Sequence, residues 1–514
     1  MNNEKRRSLI IYPYLLAIYP ILALASRNKA EVGIADIAPP LAIALGAAII
    51  LFLLFGAITK DSKRASFIVA LFFVFFWEYG HVLSAIREHV PGGRHFTTER
   101  FQVFWVYSLI VIVIEVIRRR PQLFRLTQFL NIFAAVFVIF PLFAIITFKV
   151  SYDGNPRTYQ RWRHFVQSEC KKESLRLTAA SPQRDIYYII LDEYGREDKL
   201  KQQFGLDNSP FLKSLTQKGF YVADSSTSNY LNTCESLSSS LNMDYLDTLA
   251  KKQQTWSTQR DPQLFAMLRD NSVARLLQNK GYKYVFITSG WQVSNHNSRA
   301  DVLKRPLAPN ESQATLLGRS LLCVSRQWTT RVWRKHTNYA FDQLAQIPKI
   351  KQPTFTFAHI VCPHTPFVFK ANGNAPDEDQ IPESYMDRGK LLYPDQLQYV
   401  NKRITQVVDT IIAESEVAPI IVIQADHGVR FLSPKWVSQK EYGPGEAENI
   451  RSIFNAYYLP DGGDKPLYPS ISPVNSFRLI FNYYFGADYK LLEDSTHEVK
   501  WSPGKPAKFV RLSK

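Results

Sequence analysis

The chain has 514 residues, 46% of them hydrophobic and 21% charged, enough for two or three domains with sizeable buried cores. Four cysteines exclude a disulfide-dense secreted scaffold, and none stands in a CxxC pair or a His-spaced zinc pattern. The net charge of +17 would suit nucleic-acid binding only if the basic residues gathered on a folded domain or tail. Their sharpest runs instead flank long apolar stretches, so no nucleic-acid partner is expected.

The mean hydropathy of −0.16 averages two unlike parts, because most of the apolar excess lies in the first 150 or so positions. Residues 9–25 form an uncharged run, LIIYPYLLAIYPILALA, close to the length that crosses a hydrocarbon core of about 30 Å. Similar runs follow at 37–58, 65–79, 101–117 and 126–148, which predicts five spans. A cleaved signal peptide accounts for the first run alone. Lys5, Arg6 and Arg7, then Lys60, Lys63 and Arg64, then Arg118, Arg119, Arg120 and Arg125 mark the loops expected in the cytoplasm, since basic loops resist translocation. An odd span number then places the remainder outside, in a multi-pass protein of the plasma (inner) membrane. Glu78 and Glu115 are read as carboxylates facing the interface. The expected division is a transmembrane domain over 1–156 and an extracytoplasmic catalytic domain over 157–514.

Beyond residue 157 short apolar runs alternate with helical patterns, the signature of an α/β sheet covered by helices on both faces. Strands are predicted at 186–191, 282–288, 354–361, 420–423 and 453–459, and helices at 262–280 and 397–415. Residues 365–394 and 441–450, rich in Pro and Gly, are expected to be loops. In an open parallel sheet, ligands gather at the carboxyl ends of strands. Three polar clusters follow apolar runs there: Asp192-Glu193-Tyr194-Gly195, Cys362-Pro363-His364-Thr365-Pro366-Phe367, and Asp426-His427-Gly428. The last offers a carboxylate beside an imidazole, which suits a divalent ion of the zinc or manganese kind.

Taken in order with SNYLNTCESLSSSLNMDYL at 228–246, these motifs resemble the sulfatase-like branch of the alkaline phosphatase superfamily. Within it the chain is similar to membrane-anchored lipoteichoic acid synthases and phosphoethanolamine transferases, which carry five spans and an extracytoplasmic catalytic domain. The resemblance covers about 184–494 and implies an alkaline-phosphatase-like sheet sandwiched by helices. It further implies a transferase with Thr233 as nucleophile, one divalent metal ion held by Asp192, Thr233, Asp426 and His427 with Glu193 adjacent, and His364 contacting the transferred group or the leaving oxygen. Zinc or manganese is expected, with calcium or magnesium as the alternatives. A hydroxyl is a weak nucleophile at neutral pH, and a metal both favours its alkoxide and screens the anionic phosphorus. The helix start that Thr233 also suits would stabilise phosphoryl oxygens.

Asp192 ranks ahead of Glu193, because side chains alternate faces along an extended segment. His359 is read as a core histidine on a buried strand, His296 as a weaker candidate for a second metal, and Arg478 as a structural anchor or a phosphate neighbour. Classical sulfatases oxidise a cysteine that is followed by Pro and Arg at fixed spacing. Cys234 is followed by Glu235, Ser236 and Leu237, so it is read as a packing residue and phosphate is favoured over sulfate. The expected partners are membrane lipids, a phospholipid donor and a glycan or lipid acceptor. The alternatives are a hydrolase of phosphate or sulfate esters and a catalytically inactive envelope-assembly factor.

Overall fold

The computed structural model describes residues 9–28, 32–90, 98–119, 121–152, 156–178, 182–253, 260–322, 327–377, 381–382, 384–433, 443–502 and 505–512. Lys5, Arg6, Arg7 and Arg120 of the basic loops lie outside these residues. Two units emerge, Met1–Asn155 with Pro309–Val332, and Pro156–Ala308 with Trp333–Lys514.

The first unit is built on helices α1 (Tyr12–Arg27), α2 (Ile34–Thr59), α3 (Ser62–His89), α4 (Thr98–Arg119) and α5 (Phe124–Tyr152). Four of them, α2 to α5, are long and apolar enough to cross a membrane. The first predicted span forms α1, whose 16 residues fall short of that length. At 1.5 Å per residue it extends about 24 Å. The expected third run ended at 79, yet α3 continues ten residues further, to His89. Its start is set by Asp61, whose side chain accepts from the amides of Lys63 and Arg64 at 2.9 and 3.3 Å. Large apolar side chains such as Ile43, Val103, Ile132 and Phe140 point outward from α2, α4 and α5, as helix faces turned toward lipid do. Glu115 is paired at 2.5 Å with Arg119 one turn on.

Residues Pro309–Val332 join this unit although they lie far along the chain. Leu316 packs with Ala17, Ile21, Ala44, Val69 and Phe73, and Asn310 Nδ2 donates to the buried Asp36 at 2.8 Å. Gly80 N donates to Arg319 O at 2.9 Å and Leu321 N to Phe76 O at 2.8 Å. The approach requires glycine, since a Cβ on residue 80 would lie 2.6 Å from Arg319 O.

The second unit begins with α6 (Pro156–Arg176) and holds a seven-stranded sheet. In chain order its strands are β1 (Ile186–Leu191), β2 (Tyr221–Val222), β3 (Lys283–Ile287), β4 (Val302–Lys304), β5 (Thr354–Ile360), β6 (Ile420–Gln424) and β7 (Asn455–Tyr458). The spatial order is β2-β7-β6-β1-β5-β3-β4, with β4, β3, β5, β1 and β6 mutually parallel and β7 antiparallel to β6 and β2. All five expected strands are present. β2 and β4, of two and three residues, are too short to show periodicity. A separate hairpin pairs β8 (His497–Lys500) with β9 (Lys508–Arg511).

Helices cover both sheet faces. On one, Tyr187, Ile189, Val285, Ile287, Ala358, Ile421 and Ile423 share a buried cluster with Leu397, Val400, Ile404 and Val408 of the helix Tyr385–Glu414. On the other, the Tyr188 ring meets Phe357 and Phe477, the latter from the helix Pro473–Phe485, and its hydroxyl donates to Ser240 Oγ at 2.9 Å from the helix Thr233–Asn242.

Three expected boundaries shift. The 262–280 helix is two, Arg260–Arg269 and Ser272–Asn279, because Asn271 caps the second by accepting from Ala274 N at 2.8 Å. Much of the expected 365–394 loop is helical from Tyr385, with Pro394 accommodated inside. Residues 444–450 belong to the helix Pro444–Arg451, its proline at the start where no amide is needed, while 441 and 442 lie outside the described residues.

Candidate metal centre and active site

β1 lies between β5 and β6, with Ile190 facing His359 on one side and Gln424 on the other. Side chains alternate along a strand, so the positions that continue this face are Asp192 beyond β1 and Asp426 beyond β6, while β5 already presents His359. Three parallel neighbours therefore deliver Asp192, His359 and Asp426 to one place, with ligand atoms within 4.8 Å of one another and all three side chains buried. The strand ends are held in register by Asp192 N donating to Ile360 O at 3.0 Å and Ala425 N to Phe454 O at 2.9 Å.

His427 completes the cluster, its Nε2 3.6 Å from Asp192 Oδ1 and 3.6 Å from Asp426 Oδ2. Its Nδ1 lies 2.9 Å from Gly428 O. A carbonyl only accepts, so Nδ1 donates there and Nε2 is left facing the two carboxylates. His359 Nε2 stands 3.3 Å from Asp192 Oδ2. Asp192 Oδ1, Asp426 Oδ2, His359 Nε2 and His427 Nε2 are all buried without a hydrogen-bond partner among the described residues. Lone pairs and negative charges converging this way, away from water, are costly unless a cation sits among them. The donor set of two carboxylates and two imidazoles fits a divalent metal ion. Burial opposes ionisation of Asp192, but the charges of His364, His359 and His427 outweigh it and hold the carboxyl below the usual range.

His359, read as a core histidine, also stands among the candidate metal ligands. It is fully buried, as that reading requires, but its Nε2 faces the carboxylates. The face parity with Asp192 and Asp426 could have revealed it, given the order of the strands.

Glu193 turns a different way. Its backbone is left-handed, with φ 63°, and its amide donates to Asp426 Oδ1 at 3.2 Å. Its Oε1 accepts the amides of Arg430 and Phe431 at 2.6 and 3.1 Å, and its Oε2 faces His364 Nε2 at 3.7 Å. The carboxylate thus ties the turn after β1 to the loop after β6 and braces His364. His364 Nδ1 is directed at Thr365 O at 2.6 Å. Burial alone would lower the affinity of His364 for a proton, but Asp192 and Glu193 raise it above the ordinary histidine value.

Thr233 is the first residue of the helix Thr233–Asn242, preceded by an extended Asn232. It is buried, and the helix is fastened to the same sheet face by the contact between Tyr188 and Ser240. The approach to it is rigid: Ser236 Oγ donates to Tyr230 O at 2.9 Å, the Tyr230 hydroxyl accepts Leu246 N at 2.7 Å, and Asn229 Oδ1 accepts Val474 N at 2.7 Å. Arg430, which the motifs did not single out, donates from Nη1 to Asn232 Oδ1 at 2.9 Å. It links the residue before Thr233 to the loop that carries the Glu193 contacts.

The other candidates take structural places. Arg478 donates to the carbonyls of Met243 and Lys490 at 2.6 and 2.8 Å, which makes it an anchor. His296 is exposed and outside the cluster. Cys234 is buried and forms no disulfide among the described residues, like Cys170 and Cys362.

Gly428 allows the turn that carries Asp426 and His427. A Cβ there would overlap the carbonyl oxygens of Asn449 and Ser452. Gly428→Ala is expected to cost about 1–3 kcal/mol, as overpacking does, and to weaken metal binding by displacing both side chains. Thermal unfolding and a metal titration of the purified variant check this; an unchanged melting temperature would show that the turn yields without strain.

The model for the sulfatase family matches residues 184–461, more than half of the 514-residue chain. No curated protein sequence matches. Among solved structures, the chain is similar to the C-terminal periplasmic domain of EcEptC from Escherichia coli, at 12% identity over 64% of this chain and 92% of that one, with a TM-score of 0.43. It is also similar to the integral membrane protein lipooligosaccharide phosphoethanolamine transferase A from Neisseria meningitidis, at 12% identity over 91% and 94%, TM-score 0.39. A third similar structure is a protein in the alkaline phosphatase superfamily from Vibrio parahaemolyticus, at 14% identity over 68% and 87%, TM-score 0.39. The family match spans β1 through β7 with every residue of the carboxylate and imidazole cluster, and the chain belongs to the sulfatase family, with helices of membrane-spanning length ahead of the matched domain.

Proposed function

We propose that the chain transfers a phospho-group, of the phosphoglycerol or phosphoethanolamine type, from a lipid donor to an extracytoplasmic glycan or lipid. The observation that carries this reading is the buried convergence of four unpartnered ligand atoms in the matched domain that also holds Thr233 at a helix start. In this reading Asp192, His359, Asp426 and His427 hold one divalent ion, zinc or manganese, beside Thr233. Such an ion supplies positive charge that favours the threonine alkoxide and screens the phosphorus. Thr233 Oγ attacks phosphorus, the P–O bond to the lipid remainder breaks, and His364 Nε2 gives a proton to the departing oxygen. The raised proton affinity of His364 suits that role. Transfer of the group from Thr233 to an acceptor hydroxyl completes the turnover. The absence of a Pro and Arg after Cys234 favours this threonine chemistry over a formylglycine sulfatase.

A lipid donor gives the membrane helices a purpose. With α1 counted as a fifth, shorter span, the basic loops lie in the cytoplasm and 157–514 outside. Arrival of anionic lipid headgroups is favoured by the excess of Lys and Arg over Asp and Glu within 157–514.

The test is intact-mass analysis of purified full-length protein after incubation with a native lipid extract, followed by peptide mapping. A phosphoglycerol or phosphoethanolamine adduct on Thr233 is expected. Turnover with the adduct on another residue would overturn the assignment, and release of the group to water alone would make the protein a hydrolase.

A further inference from the structure

We infer that Ser294, backed by Ser289, is the positioning residue that presents His359 Nε2 to the carboxylates of Asp192 and Asp426. This rests on the reading of the cluster as a divalent-metal centre. β3 runs parallel to β5 with Ile287 opposite Ala358, so the turn after β3 lies beside His359. That turn closes on itself: Ser289 N donates to Ser294 O at 3.2 Å and Ser294 N to Trp291 O at 3.0 Å. The Trp291 ring packs edge-on against the imidazole, with centroids 5.7 Å apart.

The side chains form a buried chain that reaches the imidazole. His359 Nδ1 lies 2.7 Å from Ser294 Oγ, and Ser294 Oγ lies 2.7 Å from Ser289 Oγ. Ser289 Oγ accepts Trp291 N at 2.9 Å and has Trp291 O at 3.3 Å as an outlet for its own proton. Two proton orders fit these positions. In one, His359 Nδ1–H donates to Ser294, Ser294 to Ser289, and Ser289 to Trp291 O; Nε2 then offers a lone pair, as a metal ligand must. In the other, Ser289 donates to Ser294, Ser294 donates to Nδ1, and Nε2–H points at Asp192 Oδ2, 3.3 Å away. Both orders hold the same protons and need only hydroxyl rotation and the shift of the imidazole tautomer. The serine pair therefore keeps the ring aimed at the carboxylates with or without the ion, and selects the ligating tautomer when the ion arrives. Groups that fix a ligating histidine through its second nitrogen typically contribute about 10–100-fold in metal affinity.

The experiment is a zinc titration, against a competing chromogenic chelator, of full-length protein purified in detergent and stripped of metal. Ser294→Ala is expected to raise the zinc dissociation constant by about 10–100-fold, and Ser289→Ala by a smaller, severalfold amount. A double-mutant cycle decides whether the serine acts through the histidine. On a His359→Ala background, Ser294→Ala should cost nothing further. An equal loss on that background would overturn the inference, as would a folded Ser294→Ala protein binding zinc as tightly as wild type. Wild-type protein that holds no zinc would overturn the metal-centre reading itself. Circular dichroism of each variant, with Ser289→Ala as the milder probe, separates loss of the fold from loss of the ligand.

Discussion

Thr233→Ala is expected to fold normally and to lose at least about a thousandfold in phospho-group transfer, together with the covalent adduct. The fold should survive because the helix start is held by groups other than the threonine hydroxyl: Ser236 and Leu246 both bond to Tyr230, and Arg430 bonds to Asn232. The chemistry should not survive, because a nucleophile that works as part of a unit leaves only residual rate when deleted. Thr233→Ser keeps the hydroxyl and should retain part of the activity. Release of the headgroup from a fluorescent lipid analogue by purified full-length variants measures both effects, with circular dichroism as the control. Near-normal turnover by a folded Thr233→Ala protein would falsify the threonine mechanism.

The second large effect concerns metal binding. Asp426→Asn keeps the shape of the side chain and can still accept Glu193 N, but it removes one of the two negative charges that face the imidazoles. A greater than about 100-fold loss of zinc affinity is expected, more than a positioning residue contributes. A melting experiment gives an independent reading. Zinc at a hundred times its dissociation constant should stabilise the wild type by about 2.7 kcal/mol through preferential binding to the folded state, and at the same concentration should barely stabilise Asp426→Asn. The metal-free variant should melt close to the metal-free wild type, because the amide keeps the side chain's shape and the bond from Glu193 N. Equal zinc-induced shifts in the two proteins would show that the ion binds elsewhere.

Much of the second unit was legible because the signals are local. The runs IYYIIL, TFTFAHIV and IIVI announce strands through unbroken apolar character, and the Asp192 and Asp426 motifs follow them directly. The expectation against a formylglycine at Cys234 rests likewise on neighbours in sequence, since Glu235 and Ser236 follow it. Pro394 misled, because proline tends to end helices but leaves the helix standing when other contacts hold it. Here the helix Tyr385–Glu414 is held by the apolar row from Leu397 to Ile411 against the sheet.

By itself, then, the sequence determined which segments are apolar helices, which are buried strands, and which carboxylates and imidazoles stand at strand ends, because each of these depends on residues within a few positions. Only the tertiary structure decided that β5 and β6 flank β1, and so that His359 joins Asp192, Asp426 and His427 while Glu193 turns to Arg430 and His364. It also decided that Pro309–Val332 belongs with the apolar helices. The reason is that strand order and register are set by the packing of segments hundreds of residues apart, and the same buried histidine is a packing residue or a ligand according to what that packing places before its Nε2.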